Sequence, residues 1–343
     1  MSPLVSVVMP SYNHARYVAE AVRSVLRQDV DGLELVVVDD GSSDDSVEMV
    51  RAIGDPRLRL IVQQNQGTHA ALNRGLADSR GPVLAILNSD DRYAPGRLRS
   101  ALRVLRESPD VALVGTWIQV IDAEGRAGGV KEGYDTLDPW PVSDPACTFK
   151  ADHDLRTALL MQNYWATTSN FVFPRTTWTA FGPFSPLRYV HDWDFALRVQ
   201  HRNRATLLPE PLLEYRVHPA NTIRQNREEM VYEICWLMAR HLPSYLSESG
   251  FWAPDPARRA EQLLRSVHVY GCDAVLWAMA AQMHLGPPGS AERLLDLEDP
   301  ARQVYLAEVA RSLAAPSVEP GANPGLRARL GALRRRIVGA AGR

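Results

Sequence analysis

The sequence predicts an α/β fold: a mostly parallel central sheet flanked by helices, with a helical extension toward the C-terminus. Three observations carry this prediction. Short β-branched apolar runs alternate with longer amphipathic ones from Val5 to Leu87, which is the rhythm of βαβ units. Those runs are continuous rather than alternating, as befits strands covered on both faces. From Tyr232 to Leu313 the periodicity turns helical, interrupted by prolines.

Taken in order, Val5 to Met9 reads as a buried strand, followed by the turn Pro10-Ser11-Tyr12-Asn13. Tyr17, Ala21, Val22, Val25 and Leu26 then mark one face of a helix by their three-and-four spacing. Leu35 to Val38 is a second strand ending on Asp39-Asp40-Gly41-Ser42-Ser43, where the serines and Asp44 offer capping chemistry for the next helix. Leu58 to Val62 is a third strand, and Gly67 opens a helix through Ala70, Ala71, Leu72 and Leu76. Val83 to Leu87 is a fourth strand, ending on Asn88-Ser89-Asp90-Asp91. After a strand-like run from Val111 to Val120, the stretch from Asp122 to Asp154 is rich in Gly, Asp and Pro and is expected to be a long surface loop. Leu155 to Met161 and Asp192 to Val199 read as helices, and Ser169 to Phe173 and Leu212 to Val217 as strands. The expected division is residues 1–222 for the sheet-based domain, 223–315 for the helical extension, and 316–343 for a linker with a basic tail.

Composition narrows the function. In a chain of 343 residues, 45% hydrophobic and 23% charged residues supply an ordinary globular core. A formal net charge of -2 gives no general attraction for nucleic acid, and no nucleic-acid partner is expected. Cys147, Cys235 and Cys272 are far apart and lack the C-x-x-C spacing of a zinc or redox site, which fits a reducing compartment. The N-terminus has neither the basic flank nor the apolar stretch of a secretory signal, and no run approaches the roughly 20 apolar residues of a membrane span. A cytoplasmic protein is expected.

In an open α/β sheet, ligands bind beyond the carboxyl ends of the strands. Tyr12, Asp40 and Asp91 stand at three such ends, and although each alone could be a turn or capping residue, their joint placement points to one crevice. Asp90-Asp91 could hold a hard divalent cation, Mg²⁺ or Mn²⁺, or cap the helix expected after Pro95. In His191-Asp192-Trp193-Asp194, one carboxylate could serve as a general base, Asp192 being preferred and Asp194 its competitor; an acidic helix N-terminus is the structural alternative. His218 follows the last core strand, from where an imidazole could reach a metal or a diphosphate, or serve only structure.

On these residues the chain resembles glycosyltransferase family 2, the inverting enzymes of the GT-A, Rossmann-like fold. The resemblance runs from Leu4 to Asn221. It is carried by Val5-Ser6-Val7-Val8-Met9-Pro10-Ser11-Tyr12-Asn13, by Glu34-Leu35-Val36-Val37-Val38-Asp39-Asp40-Gly41-Ser42, and by Asn65-Gln66-Gly67 with Asn73-Arg74-Gly75, in family order. It implies a nucleoside-diphosphate sugar donor, a UDP-sugar foremost, and a divalent cation. Pro10, Tyr12 and Asp40 would cradle the nucleotide base, with Asn13, Asn65, Gly67 and Asn73 as further donor contacts. Asp90 would approach the ribose, Asp91 would hold the metal with His218 beside it, and Asp192 would be the base. Trp165 is read as a sugar-stacking platform or a core tryptophan, and His191 and Trp193 as acceptor contacts. Two departures stand out. Asn88 replaces a frequent aspartate and adds no charge toward a metal, and His191 replaces a frequent glutamate.

The acceptor implied is a glycan or lipid-linked hydroxyl in bacterial surface polysaccharide assembly. Leu326, Leu330, Leu333 and Ile337 form an apolar helical stripe beside Arg327, Arg329, Arg334, Arg335 and Arg336, a pattern that fits peripheral contact with an anionic membrane, a solvated tail, or a helix packed on the extension. Two rivals are a non-catalytic binding relative, for which Asn88 leaves room, and a nucleotidyltransferase, which would need a glycine-rich phosphate loop where Pro10-Ser11-Tyr12-Asn13-His14 stands.

Overall fold

The structure, a computed structural model, describes residues 4–132, 155–222, 225–248 and 255–314. Four strands, β1 (Val5–Ser11), β2 (Leu33–Asp39), β3 (Leu58–Val62) and β4 (Val83–Ile86), lie parallel in the order β3-β2-β1-β4. Every residue of β1 and β2 is buried, because helices cover both faces. Helix α1 (Val18–Leu26) buries Val18, Ala21, Val22 and Val25, the stripe read from its spacing. The short α2 (Ser46–Arg51) follows β2, and α3 (Thr68–Asp78) lies against β1 and β2. Gly75 sets how close α3 can approach: a Cβ there would come within 2.4 Å of Val8 Cγ1 and 3.0 Å of Val38 Cγ2.

Beyond β4 the sheet changes character. It continues through β8 (Val172–Pro174), β6 (Val111–Ile121), β9 (Arg204–Arg216) and the two-residue edge strand β5 (Arg92–Tyr93). Of these neighbours only β6 and β9 are parallel; β4–β8, β6–β8 and β5–β9 are antiparallel. The first half of the sheet is therefore wholly parallel, as a mostly parallel sheet requires, and the second half is mixed. Helix α4 (Arg97–Glu107) connects β5 to β6.

Three local readings change. The stretch expected as loop from Asp122 opens with strand β7 (Ala127–Lys131), hairpin partner of β6, and its residues 133–154 lie outside the described residues, as does the tail 316–343. The strand expected from Ser169 begins instead as a 3-10 turn, Thr168–Asn170. Strand β9 starts at Arg204, well before Leu212, because Pro209 and Pro211 hide its periodicity.

Around the second half pack α5 (Leu155–Met161), α6 (Arg175–Phe181) and α7 (His191–Gln200), followed by α8 (Arg227–Leu246), α9 (Pro256–Ser266), α10 (Asp273–Leu285), α11 (Ser290–Arg293) and α12 (Pro300–Ala314). One apolar cluster joins Trp165, Phe171, Phe173 and Phe195 with Tyr232, Trp236, Leu276 and Val309. The helices after residue 225 thus share a core with the sheet. Among the described residues no helix is long and apolar enough to cross a membrane.

Candidate active site

Because β1, β2 and β4 are parallel neighbours, their carboxyl ends lie on one edge, and the turns beyond them are laced together. Asn13, in the left-handed region at φ 54, accepts the Ser43 amide at 2.8 Å through Oδ1 and donates its own amide to Ser42 Oγ at 2.9 Å. Asp40 shapes the turn ahead of α3. Its carboxylate accepts Gln63 Nε2 at 2.8 Å and the amides of Gln66 and Gly67 at 3.0 and 2.8 Å. Gly67 adopts φ +89, which favours glycine. Pro10 is buried within β1, while Tyr12, 46% exposed, and Asn65 face the solvent at this edge.

In the next turn His14, Asp90 and His218 come together, with one ligand atom of each within 4.8 Å of the others. His218 Nε2 lies 3.1 Å from Asp90 Oδ2, and His14 Nδ1 lies 2.7 Å from Ser89 Oγ. Burial pushes the Asp90 carboxyl upward, but the charge of His14 and the hydrogen bond and charge of His218 outweigh it, leaving Asp90 below its ordinary value. Two imidazoles and a carboxylate form a donor set that fits Mn²⁺ better than Mg²⁺, which prefers oxygen alone.

Asp91, expected to be the metal ligand, is turned the other way. Its oxygens accept the Ser169 hydroxyl at 2.6 Å and the Arg216 amide at 2.9 Å, and it is 1% exposed. Burial and the neighbouring Asp90 raise its carboxyl well above the usual range. Asp90 lies in the turn between β4 and β5 and Asp91 directly before β5, and of the two it is Asp90 that joins the histidines. Arg216, which is buried, fixes the turn from beneath: Nε donates to the Asp90 carbonyl at 2.8 Å and Nη2 to Glu20 Oε2 at 2.6 Å.

A connected segment leads from this turn to Asp192. The Asn88 side chain donates to Thr167 Oγ1 at 3.1 Å and accepts from Thr168 Oγ1 at 3.0 Å, so its neutral amide joins the two turns. Asn163, four residues ahead of Thr167, donates to Asp192 Oδ2 at 2.9 Å. Asp192 also accepts the Trp193 amide at 2.7 Å. Burial raises its carboxyl, against the opposing effects of His191, Asn163 and Trp193. Asp194, the competitor, is saturated: it accepts from Ser185 Oγ at 2.7 Å, from Arg198 Nε at 3.0 Å, and meets His241 Nε2 at 2.8 Å. Burial would raise it, but these partners hold it well below the usual carboxylate range. A group so bound is a poor proton acceptor, whereas Asp192 is a suitable one.

Residues 6–188 match the profile described as glycosyl transferase family 2. The chain belongs to this family. It is 30% identical over 225 residues to a protein of Nostoc sp. named as an uncharacterized glycosyltransferase, covering 63% of this chain and 66% of that protein. It is 34% identical over 142 residues to the chondroitin synthase of Escherichia coli, covering 41% of this chain and 20% of the synthase. Thus the chain spans about two thirds of the first relative and a fifth of the second. Two solved structures share its fold. Staphylococcus aureus TarS 1-349 in complex with UDP-GlcNAc has a TM-score of 0.56 at 17% identity, covering 90% of this chain and 79% of that one. The mannosyltransferase PcManGT of Pyrobaculum calidifontis, in complex with GDP-Man and Mn²⁺, has a TM-score of 0.52 at 21% identity, covering 91% and 87%. The fold is GT-A, and the protein is a glycosyltransferase.

Several residues expected at the family's donor or acceptor contacts are built into the scaffold instead. Trp165 is fully buried and donates Nε1–H to Gln200 Oε1 at 2.7 Å, so it is the core tryptophan of the two readings. Trp193 is 8% exposed and donates to the Leu159 carbonyl at 2.6 Å. Asn73 uses its whole amide on the Phe184 backbone, donating at 2.9 Å and accepting at 2.8 Å. His191 is partly buried with its ring edge-on to Phe184 at 6.1 Å, and burial lowers it below the ordinary imidazole range. Residue-by-residue reading gave no role to His14 or Arg216, whereas Asn163 and Ser169 fall in the segment 163–170 that it placed beside the donor sugar and acceptor. Of the first two only His14 left a signal, in the turn directly after Tyr12. A cavity of about 470 Å³, lined by Phe181, Ser185, Arg198, Trp236 and His241, belongs to the packing of α7 on α8 and not to the crevice at the strand ends.

Proposed function

We propose that this glycosyltransferase moves a hexosyl group from a nucleoside-diphosphate sugar, with UDP-sugar as first choice, to a hydroxyl of a glycan or lipid-linked acceptor, inverting the anomeric centre. The setting proposed is bacterial surface polysaccharide assembly. The observation that carries this reading is the His14–Asp90–His218 cluster at the ends of parallel strands, joined through residues 163–170 to a buried carboxylate with capacity to take a proton. In the proposal, Pro10, Tyr12, Asn13, Asp40, Asn65 and Gly67 form the nucleoside end of the crevice. His14, Asp90 and His218 hold a divalent cation, and Asp192 removes the proton from the acceptor hydroxyl while Asn163 orients it. When bound, the cation supplies positive charge against the departing diphosphate. Relatives named for polysaccharide work support the setting, among them the succinoglycan biosynthesis protein ExoO of Rhizobium meliloti, 36% identical over 126 residues.

The test is a thermal shift of the protein with UDP, GDP, dTDP and CMP, each with and without Mn²⁺, on wild type and Asp90→Ala. Ligand at about 100 times its dissociation constant stabilises by roughly 2.7 kcal/mol. A Mn²⁺-dependent shift with one nucleotide, lost in Asp90→Ala, is expected. No shift with any nucleotide would overturn the reading in favour of a non-catalytic relative.

A further inference from the structure

Glu233 lies in α8, outside the residues matched by the family profile, and is 6% exposed. Oε1 accepts the Arg188 amide at 2.7 Å, and Oε2 accepts those of Tyr189 at 2.7 Å and Val190 at 3.3 Å. These are three consecutive amides, and Val190, at φ -126, is the residue on which α7 begins, two before Asp192. A carboxylate taken out of water is costly unless fully hydrogen-bonded, and this one spends its acceptors on the chain entering the helix that carries the base. The same α8 touches α7 again just past the base, where His241 Nε2 lies 2.8 Å from Asp194 Oδ1. Behind Glu233, Arg302 of α12 pairs with Glu229 at 2.5 Å and lies over the Tyr232 ring at 4.4 Å, holding α8 in place.

We propose that Glu233 is a positioning residue for the transfer reaction: by gripping the amides of residues 188–190 it fixes the direction in which the Asp192 carboxylate leaves α7. This rests on the assignment of Asp192 as the base. The helical extension is then part of the catalytic apparatus, although the donor crevice is built without it.

The test uses the full chain and Glu233→Gln, which keeps the volume and one acceptor but turns an NH₂ toward the amide donors. Glu233→Ala is the harsher variant and could fail to fold, so the isosteric change decides. The expected result is a fall in kcat of about 10- to 100-fold, because a small misplacement of a catalytic group is enough. The donor KM and the Mn²⁺-dependent nucleotide shift are expected to stay within about two-fold of wild type. Glu233→Asp, which keeps the charge, should recover part of the loss. Wild-type kcat in Glu233→Gln, or a joint loss of kcat and donor binding, would overturn the positioning role. Asp192→Asn separates the two claims. A dead Asp192→Asn beside an unaffected Glu233→Gln overturns the positioning role alone, whereas turnover retained in Asp192→Asn overturns the base assignment and the positioning role with it.

Discussion

At the scale of single residues, the site turns on two choices between neighbouring aspartates. For Asp192 and Asp194 the sequence narrowed the candidate base to a pair and preferred the first, but the partners that occupy the second, Ser185, Arg198 and His241, include one 47 positions away. No periodicity carries that information. For Asp90 and Asp91 the pair was legible and the orientation was not, because Ser169 and the Arg216 amide, which claim Asp91, arrive from 78 and 125 residues further along the chain. Asp192→Asn is expected to lower kcat by about 10²- to 10⁴-fold, the usual contribution of a general base. Because burial raises the Asp192 carboxyl and the base must be ionised to act, kcat should fall on the acid side at a pH above the ordinary aspartate value of about 3.9. A pH–rate profile with an acid limb at or below that value would contradict the assignment. Asp91→Ala should act on the fold instead. It strands the Ser169 hydroxyl and the Arg216 amide, at a cost of about 1–3 kcal/mol in denaturant unfolding.

At the scale of elements, strands β1 to β4 and the helices between them were legible because their apolar runs are long and their punctuation is strong. What the chain hid was β9, whose prolines break the pattern, and the switch from parallel to antiparallel pairing after β4, which depends on partners and not on any one strand. Helix α3 gives the sharpest test at this scale. It meets β1 and β2 across Gly75, where an added methyl would collide with Val8 and Val38. Both contacts are branched core side chains with nowhere to retreat. Gly75→Ala is therefore expected to destabilise by about 1–3 kcal/mol despite the better helix propensity of alanine. Unchanged or raised stability in urea unfolding would show that the α3–sheet contact is looser than described.

At the scale of the whole molecule, two buried carboxyls pull stability in opposite directions with pH. Glu34 of β2 accepts from Ser6 Oγ, Arg59 and Arg80, and although burial acts to raise it, these bonds bring it down to about 2 from 4.5. Its contribution is present above pH 4.5 and is lost as pH falls toward 2. Glu233 is pushed up by burial to about 7 from 4.5, against the pull of the three amides and Arg302. Its folded state binds the proton more tightly than its unfolded state, so its contribution is complete below pH 4.5 and is lost as pH rises to about 7. Between those values the melting temperature of the wild type should decline relative to Glu233→Gln, which cannot titrate. Parallel curves for the two proteins across that window would refute the assignment. The sequence foresaw a helical extension but not that its first helix reaches back to the chain entering α7, since nothing in the α8 periodicity marks Glu233 as facing the amides of residues 188–190.

The way the sheet closes has a consequence for the chain as it is made. Among the described residues edge strand β5 pairs only with β9, through Arg92 opposite Glu214 and Tyr93 opposite Leu213, and His218 follows β9 after a single intervening residue. A chain emerging from its N-terminus releases His14, Asp90 and β5 long before the strand that pairs with β5 and the imidazole that completes the cluster. The partner of β5 and the imidazole that joins His14 and Asp90 thus arrive on the same stretch of chain, residues 204–218. Nascent or truncated chains that stop short of it lack both the partner strand of β5 and the third member of the cluster.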